Sequence, residues 1–445
     1  MNTFNQKSVF KKIVSFLVVI CMMLGSMPSL TLLTVNAETP AENTADLWDG
    51  TTDTSWYNDY DTEFIIYTAE ELAGLAYLVN NGNTFGNKTI HLGNDIDLAG
   101  REWVPIGKGT QQNSSCSIES LYFSGIFDGE YHTVSNVSIT QNNTSFSGLF
   151  GAIKDATIER LSVENAEINQ VTSYRNKCGG IAGIAEDSTI RLCSSSAIFE
   201  GYATSNPASF GGILGIAMGQ MQIENCFAVV DIVAGGHCGG LVGGEYGGDL
   251  TVVNCYAIGS IDETGAGSTS TSNVAGGLVG YSQSNVSISD SFFSGSVESS
   301  GSSYRYSEGG SISNCYHSDY TDSSNFQSQF WIETNLGWDF DAVWEFRAEN
   351  DYPVLSGFAN GGYTPHVHSY EETSRTEATC TADGEIVRTC ILCERIQREI
   401  IPALNHNYVS GICTVCGERI VPVTGTIVAD STASVQIDVA GGAVY

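Results

Sequence analysis

The fold is decided by the stretch CGGLVGGEYGGDLTVVNCYAIGSI at residues 238–261. It is too rich in glycine for a helix and too apolar for a linker. Its Gly-x-x-Gly phrase recurs along the chain, as GLFG at 148, GIAG at 180, GILG at 212, GLVG at 240 and GLVG at 277. The steps of 32, 32, 28 and 37 residues are typical of a repeat protein.

A second column of residues follows the same period. Its members are mostly cysteines, and each has an isoleucine or valine three residues earlier. The column is Leu161, Cys193, Cys226, Cys255, Ser291 and Cys315, preceded by Ile158, Ile190, Ile223, Val252, Ile288 and Ile312. Small and apolar residues often alternate after the column, which is typical of half-buried strands. The step of three indicates a bend that keeps both residues pointing inward.

These strands and corners predict an all-β fold, a parallel right-handed β-helix solenoid. An α-solenoid is excluded because each repeat holds two or three glycines, and the repeats are too short for propeller blades of about 40 residues. Coils stacked about 4.8 Å apart would align the cysteines as an interior ladder. Asn225, Asn254 and Asn314 precede ladder positions, where a corner favours the left-handed conformation that Asn tolerates.

Both ends of the solenoid have predicted covers. Thr68 and Glu71 form a capping box, and the helix after it ends at Asn80-Asn81-Gly82. Its apolar face consists of Leu72, Leu75, Ala76 and Val79. An amphipathic helix here covers strand edges that would otherwise aggregate. At the other end, closure is predicted by Trp331, Trp338 and Trp344.

The repeats resemble a known group of proteins. GGLVG followed by NCYA is similar to the GLUG-motif repeat of bacterial surface proteins, especially those of Gram-positive gut anaerobes. The lead-in segments, from WDGTTDTSWYND to FSGIFDGEYHTVSNVSI, and the closing segment LGWDFDAVWEF…DYPVL share this resemblance, which covers about 48–355. It implies a surface protein with β-helix architecture and little about its biochemistry.

The N-terminus predicts export. Lys7, Lys11 and Lys12 precede an apolar run, and Val35-Asn36-Ala37 offers a cleavage site for a signal peptide. The predicted organisation is a signal peptide at 1–37, an N-terminal cap and lead-in at 38–100, the β-helix at 101–330, a C-terminal cap and linker at 331–362, a cysteine-rich zinc-ribbon-like module at 363–420, and a linker or further β domain at 421–445.

The charge of the chain excludes two kinds of partner. The formal net charge is −32, and it becomes −35 when the three lysines of the signal peptide leave. Such a surface repels nucleic acid and anionic membranes. Because only 15% of the residues are charged and 42% are hydrophobic, the chain is not a disordered acidic tail.

β-Helices include polysaccharide lyases and glycoside hydrolases, so enzymatic activity is an alternative function for this fold. A hydrolase needs two carboxylates beside a sugar groove. Position six before the ladder offers Asp155, Asp187, Gln220, Asp249 and Asn285. Gln and Asn at equivalent positions favour turn residues instead of catalysts. For a lyase, Arg160 and Arg191 are the nearest basic residues, and they do not share a register.

No catalytic or cofactor-binding residue is assigned in the solenoid. The histidines fall in different registers, which is more typical of surface or corner residues: His91, His132, His237 and His317. The two carboxylates of GNDIDLAG at 93–100 are at strand spacing, and such pairs are usually solvated.

The module at 363–420 predicts a structural zinc site. Cys390-x2-Cys393 and Cys413-x2-Cys416 are separated by nineteen residues, a spacing typical of a zinc ribbon, so four thiolates can complete a tetrahedral shell. Two alternatives stay open. Export permits disulfides, although Cys380 makes the number of cysteines odd, and His368 or His406 can replace a thiolate. The module also resembles cysteine repeats of exported clostridial proteins, which implies only an accessory role.

The leading functional prediction is adhesion or glycan binding on the long face of the solenoid, without catalysis. The expected partner is an extracellular glycan or a surface protein of a host or bacterium. Candidate tyrosines for stacking on sugars are Tyr202, Tyr246, Tyr281 and Tyr304. The alternatives are a lyase or hydrolase, and a spacer that displays another domain.

Overall fold

A computed structural model describes residues 48–109, 118–140, 145–172, 176–203, 208–263, 273–347, 351–358, 370–390 and 396–419. The predicted signal peptide and the predicted segment 421–445 lie outside these residues. The described residues are 51% strand and 8% helix, and they form a parallel β-solenoid of about 5 turns followed by a cysteine-rich region. The predicted fold class is therefore confirmed.

The solenoid begins with a helix inserted between its first two strands. The first elements are β1 (Glu63–Ile66), α1 (Ala69–Asn80), β2 (Thr89–Leu92), β3 (Ile96–Asp97), β4 (Ile126–Ser135) and β5 (Ser138–Ile139). Thr68 Oγ1 accepts the Glu71 N–H at 3.3 Å, and a Glu71 carboxylate oxygen accepts the Thr68 N–H at 3.3 Å, as the capping box predicts. The predicted apolar face of α1 is buried in the main core.

The coils that follow are built from nineteen short strands. They are β6 (Phe146–Ser147), β7 (Phe150–Lys154), β8 (Thr157–Thr172), β9 (Lys177–Gly179), β10 (Ala182–Glu186), β11 (Thr189–Arg191), β12 (Ser194–Ala203), β13 (Ala208–Gly211), β14 (Leu214–Glu224), β15 (Phe227–Gly239), β16 (Val242–Val253), β17 (Tyr256–Asp262), β18 (Val274–Gly276), β19 (Val279–Ser282), β20 (Asn285–Ser289), β21 (Phe292–Glu298), β22 (Ser302–Tyr304), β23 (Ser311–Ser313) and β24 (Tyr316–His317).

Strands of successive coils pair in parallel and in the predicted register. The column of isoleucine and valine aligns throughout, from Ile158 to Ile312. Glycine makes this stacking possible at the Gly-x-x-Gly corners. A Cβ atom on Gly240 would lie 2.3 Å from the Gly277 carbonyl oxygen of the next coil, closer than any side chain can approach.

The cysteine column forms an interior ladder of hydrogen bonds. Cys193, Cys226 and Cys255 are fully buried. The Cys255 thiol donates to the Val253 carbonyl at 3.1 Å and accepts the Cys226 N–H at 3.3 Å. In the next coil, Ser291 Oγ donates to the Ser289 carbonyl at 2.7 Å and accepts the Cys255 N–H at 3.0 Å. Serine and cysteine therefore fill the same role.

This ladder predicts the outcome of two substitutions at Cys255. The Cys255→Ser chain keeps a donor and an acceptor, so we expect a small loss of unfolding free energy. The Cys255→Val chain leaves the buried Cys226 N–H without its acceptor, which costs about 1–3 kcal/mol. Denaturant unfolding of both variants measures the difference. A valine variant as stable as the serine variant would contradict this role for the thiol.

The corner before the ladder is left-handed in each coil. The residues with positive φ are Arg160 (52°), Leu192 (52°), Asn225 (51°), Asn254 (52°), Asp290 (50°) and Asn314 (50°). The predicted conformation of the three asparagines is confirmed. Side chains other than Asn and Asp cost roughly 1–2 kcal/mol there, so Arg160 and Leu192 need compensating contacts.

A row of stacked aromatic rings lies on the outside of the coils. Phe227, Tyr256 and Phe292 are in register, with ring centroids 5.0 and 4.8 Å apart. The residue after each ring belongs to the main core, so the rings point outward. We call these three residues the outer aromatic row.

The C-terminal part of the solenoid region covers this row. Residues 323–347 and 351–358, here called the strap, contain a 3-10 helix (Ser323–Gln327), α2 (Gln329–Leu336), β25 (Trp344–Glu345) and β26 (Val354–Leu355). Trp338 stacks 5.6 Å from Phe292, and Trp344 lies 6.0 Å from Tyr256. These tryptophans therefore cover a side of the solenoid, whereas the sequence places them at its end. The difference arises because the outer aromatic row is a large apolar surface that must be buried.

The cysteine-rich region is a small, separate set of antiparallel strands. It contains β27 (Tyr370–Thr376), β28 (Gly384–Cys390), β29 (Ile396–Ile401), β30 (Tyr408–Val409) and β31 (Ile412–Cys413). β27, β28 and β29 form one sheet, and β30 pairs with β31.

Candidate functional site

Two of the predicted tyrosines meet on a lateral face of the solenoid. The rings of Tyr246 and Tyr281 lie 5.0 Å apart, and His237 stacks on Tyr281 at 4.5 Å. Both tyrosines are half-buried. We call these three residues the aromatic cluster. Tyr304 is half-buried at the end of β22, and the side chain of Tyr202 lies outside the described residues.

A bulge in β16 places Tyr246 in this cluster. Ala217 pairs with Glu245 and Gly219 with Gly248, so β16 has one residue more than β14 at this point. Such bulges redirect side chains and often lie next to functional sites. Gly244 leaves room for the ring, because a Cβ atom there would lie 3.2 Å from the Tyr246 ring.

The buried carboxylate of Glu245 fixes the bulge. It accepts the backbone N–H groups of Gly248 at 2.8 Å, Gln283 at 3.1 Å and Ser284 at 2.6 Å. The last two belong to the next coil, two and three residues after Tyr281. Because a buried carboxylate bonded to several amides is strongly held, the two tyrosine-bearing turns are tied together.

His237 contributes a polar atom to the cluster. It is 3% exposed, and its Nδ1 atom has no hydrogen-bond partner among the described residues. Burial, with the nearby charge of Lys177, lowers the pKa of His237 to about 3, so the imidazole is neutral at ordinary pH. The cluster thus offers two half-exposed aromatic rings packed on a buried, neutral imidazole.

The candidate catalytic carboxylates form turn ladders. Asp187 accepts the Gln220 N–H at 2.8 Å, and Asp249 accepts the side-chain amides of Gln220 and Asn285, each at 2.8 Å. Asp155 and Asp187 have φ values of 51° and 48°, as turn residues of this type do. The carboxylates of Asp187 and Asp249 therefore bond to neighbouring coils along the solenoid.

An ion-pair network lies on the first coils, where no repeated pattern in the sequence predicts it. Arg160 binds both carboxylate oxygens of Asp128, and His91 Nδ1 lies 3.0 Å from Glu130. His91, Asp128 and Glu130 have the spacing of metal ligands. However, Arg160 already supplies the cation to Asp128, and it lies 3.5 Å from Glu130. The ion pair with Asp128 also offsets the free-energy cost of the left-handed φ of Arg160.

A second cluster in the cysteine-rich region has metal-ligand geometry. Cys380 Sγ lies 3.7 Å from Cys413 Sγ, and Cys416 Sγ lies 3.5 Å from His406 Nδ1. All four ligand atoms lie within 4.8 Å of one another. We call these four residues the cysteine–histidine cluster.

A tight turn presents the two C-terminal thiols of this cluster. The Gly417 N–H donates to the Cys413 carbonyl at 2.9 Å, and Gly417 has a φ of +77° that glycine adopts without strain. Backbone N–H groups of Cys416 and Val415 lower the pKa of the Cys413 thiol to about 5. Burial raises that of Cys380 to about 12. The Glu418 carboxylate lies 3.1 Å from His406 Nε2 and orients the ring.

The distances fit a tetrahedral zinc ion. Zn–S bonds of about 2.3 Å and Zn–N bonds of about 2.0–2.1 Å place two sulfurs about 3.8 Å apart, and a sulfur and a nitrogen about 3.5 Å apart. The separations in the cluster are 3.7 and 3.5 Å. A disulfide would require about 2.05 Å. The residues therefore fit a closed site with three sulfurs and one nitrogen.

The predicted ligand set agrees with this cluster in part. Cys413 and Cys416 are brought together as predicted, whereas Cys393 and the side chain of Cys390 lie outside the described residues. The structure adds His406, which the sequence left as an alternative ligand, and Cys380, which the sequence did not propose as a ligand. Cys380 lies between β27 and β28 and His406 follows β29, so only the folding of the sheet brings them to the turn.

Part of the chain is similar in sequence to a known protein. No protein-family model matches it. The chain is 29% identical over 148 residues to Halomucin of Haloquadratum walsbyi, an alignment that covers 32% of this chain and 2% of Halomucin. The chain thus spans a small fraction of that protein's length.

A solved structure of an IgA1 protease has a TM-score of 0.38 and 17% identity, covering 56% of this chain and 19% of the protease chain. Both values are too low to indicate a shared function. Among the described residues, no helix is long and apolar enough to cross a membrane.

Proposed function

We propose that this chain is an extracellular or cell-surface β-helix protein that binds glycans through the aromatic cluster, with no catalytic activity of its own. The observation that carries this proposal is the stacking of His237, Tyr246 and Tyr281 on a lateral face. Half-exposed tyrosines present a flat apolar surface with a polar tip, which suits the face and the hydroxyl groups of a sugar ring. A few convergent polar atoms give such a site its specificity.

The proposed location rests on three observations. The N-terminal residues have the pattern of a secretory leader. The repeats resemble the GLUG type of bacterial surface protein, and we extend that resemblance to a Gram-positive gut anaerobe as part of the proposal. The similarity to Halomucin supports the same location.

We also propose that the cysteine–histidine cluster binds one structural zinc ion. A shell of three thiolates and one imidazole has no open position for water or substrate, so the metal would hold the fold and perform no chemistry. His406 Nδ1 and the sulfurs of Cys380, Cys413 and Cys416 would be the ligands.

The proposal predicts the effect of one substitution in the aromatic cluster. Tyr281 contacts both His237 and Tyr246, so Tyr281→Ala removes the centre of the stacking surface. We expect about tenfold weaker binding, which corresponds to about 1.4 kcal/mol. Biolayer interferometry on the best-bound immobilised glycan measures the change. The matched control is Tyr60→Ala, because Tyr60 is 93% exposed and lies outside the cluster. Equal losses in both variants would remove the cluster from the binding site.

A further inference from the structure

A cavity of about 370 Å³ lies between helix α1 and the segments before β4. Its volume is within the range of ligand pockets, roughly 300–1,000 Å³. One side is formed by the indole rings of Trp48 and Trp103, and the α1 side is formed by Ala73, Ala76 and Tyr77. This cavity is separate from the aromatic cluster and from the cysteine–histidine cluster.

The apolar side of the cavity is rigid and offers almost no hydrogen bonds. The Trp48 indole N–H donates to the Thr51 carbonyl at 2.9 Å, and that of Trp103 donates to the Leu149 carbonyl at 3.0 Å. The two rings meet edge to face at 5.9 Å. Tyr77 is 57% exposed and forms an open flank. The tryptophans are only 5% and 2% exposed, so they contribute a narrow carbon surface beneath Tyr77 and no free indole N–H.

The polar side of the cavity carries one available positive charge. The Lys108 backbone N–H donates to Asn80 Oδ1 at 2.7 Å, which fixes the residue at the cavity. Within the described part of the chain, no carboxylate pairs with its ammonium group. Glu102 also lines the cavity, and its carboxylate accepts the Thr140 N–H at 3.1 Å and the Thr140 hydroxyl at 2.9 Å, which hold the side chain in place and leave its negative charge.

The net charge of the chain and the charge of Lys108 bear on which ligands the cavity can bind. The chain has a formal net charge of −32, so its overall field repels anions. That field is screened beyond about 8–10 Å in physiological salt, whereas Lys108 acts at contact distance. A carboxylate on a ligand in the cavity can therefore pair with Lys108 despite the negative net charge of the chain.

We infer that this cavity binds a sugar ring that carries a carboxylate, of the hexuronic acid class. The carboxylate pairs with the Lys108 ammonium, and the apolar face of the ring packs on Trp48, Trp103 and Tyr77. This inference rests on the proposed function for its ligand class, a glycan, but it assigns a second site with its own residues.

The test uses the full chain without its predicted leader. Glucuronic and galacturonic acid are titrated by calorimetry and by tryptophan fluorescence, with glucose and galactose as neutral comparisons. We expect the acids to bind at least tenfold more tightly than the neutral sugars. Lys108→Gln should remove that preference and Lys108→Arg should keep it. Tyr77→Ala should weaken binding of all the sugars. The matched control is Arg191→Gln, an exposed cation paired with Glu159 outside the cavity.

Three results would overturn the inference. They are no binding of either acid, a preference that survives Lys108→Gln, and binding that appears only after residues 38–46 are deleted, which would make the chain itself the occupant. Failure here leaves the proposed function intact if glycan binding still depends on Tyr281. If the chain binds uronic acid but shows no glycan binding that depends on Tyr281, the proposed function is wrong and this inference stands.

Discussion

Removal of zinc by a chelator is expected to unfold residues 370–419 and leave the solenoid folded. The buried apolar residues in the described part of this region are Cys380, Ile386 and Cys413, so it has almost no core without the metal. Structural zinc contributes about 10–16 kcal/mol of apparent binding free energy in zinc-finger peptides near pH 7, and that free energy is folding free energy. Metal analysis of the full chain, followed by hydrogen exchange with and without chelator, measures both effects.

Substitutions separate this metal site from the other thiols of the chain. Cys413→Ala should abolish zinc binding and increase exchange across β27–β31. Cys255→Ser is the matched control, because its thiol belongs to the interior ladder, and it should bind one zinc ion per chain as before. A chain without zinc, with a Cys380–Cys413 disulfide found by mass spectrometry, would contradict the proposed site.

The second large effect is expected at the strap. Trp344 is fully buried and stacks on Trp338 with ring centroids 4.4 Å apart, beside Tyr256 and Phe227. Trp344→Ala should lower the unfolding free energy by about 3–5 kcal/mol through the lost contacts and the cavity that remains. It should also release the strap and expose the outer aromatic row. Denaturant unfolding and the rate of proteolysis within the strap measure these changes.

Trp344→Phe provides the control for this prediction. The indole Nε1 of Trp344 has no hydrogen-bond partner among the described residues, so phenylalanine removes an unsatisfied polar atom and keeps a ring in the stack. We expect a loss well below that of alanine. Equal losses, or unchanged proteolysis in the alanine variant, would show that the strap is not held by this ring.

The features of the solenoid that repeat could be predicted from the sequence. The column from Ile158 to Ile312 aligns from coil to coil, and Asn225, Asn254 and Asn314 have the same left-handed conformation at the same corner. These features repeat because each coil packs on the next in the same way. Residues that depart from the repeat could not be predicted in this way, because their conformation depends on tertiary contacts. Leu192 occupies a left-handed corner and packs against the apolar cluster that the outer aromatic row and the strap form together, and no local pattern indicates where the strap lies.

The candidate sites were predictable only in part, for the same reason. Tyr246 and Tyr281 were identified as aromatics, but the bulge and the buried Glu245 that bring them to His237 leave no recognisable pattern in the sequence. In the cysteine-rich region, spacing indicated Cys413 and Cys416. The convergence of Cys380 on them depends on how β27, β28 and β29 pair.

The most direct test of the proposed function is an array of immobilised glycans, probed with the full chain without its predicted leader and with its Tyr246→Ala, Tyr281→Ala double variant. Circular dichroism and the unfolding midpoint establish that the variant is folded, since both tyrosines are half-buried. We expect the unsubstituted chain to bind at least one class of glycan and the folded double variant to lose that signal. No binding to any glycan, or undiminished binding by the double variant, would contradict the proposed function.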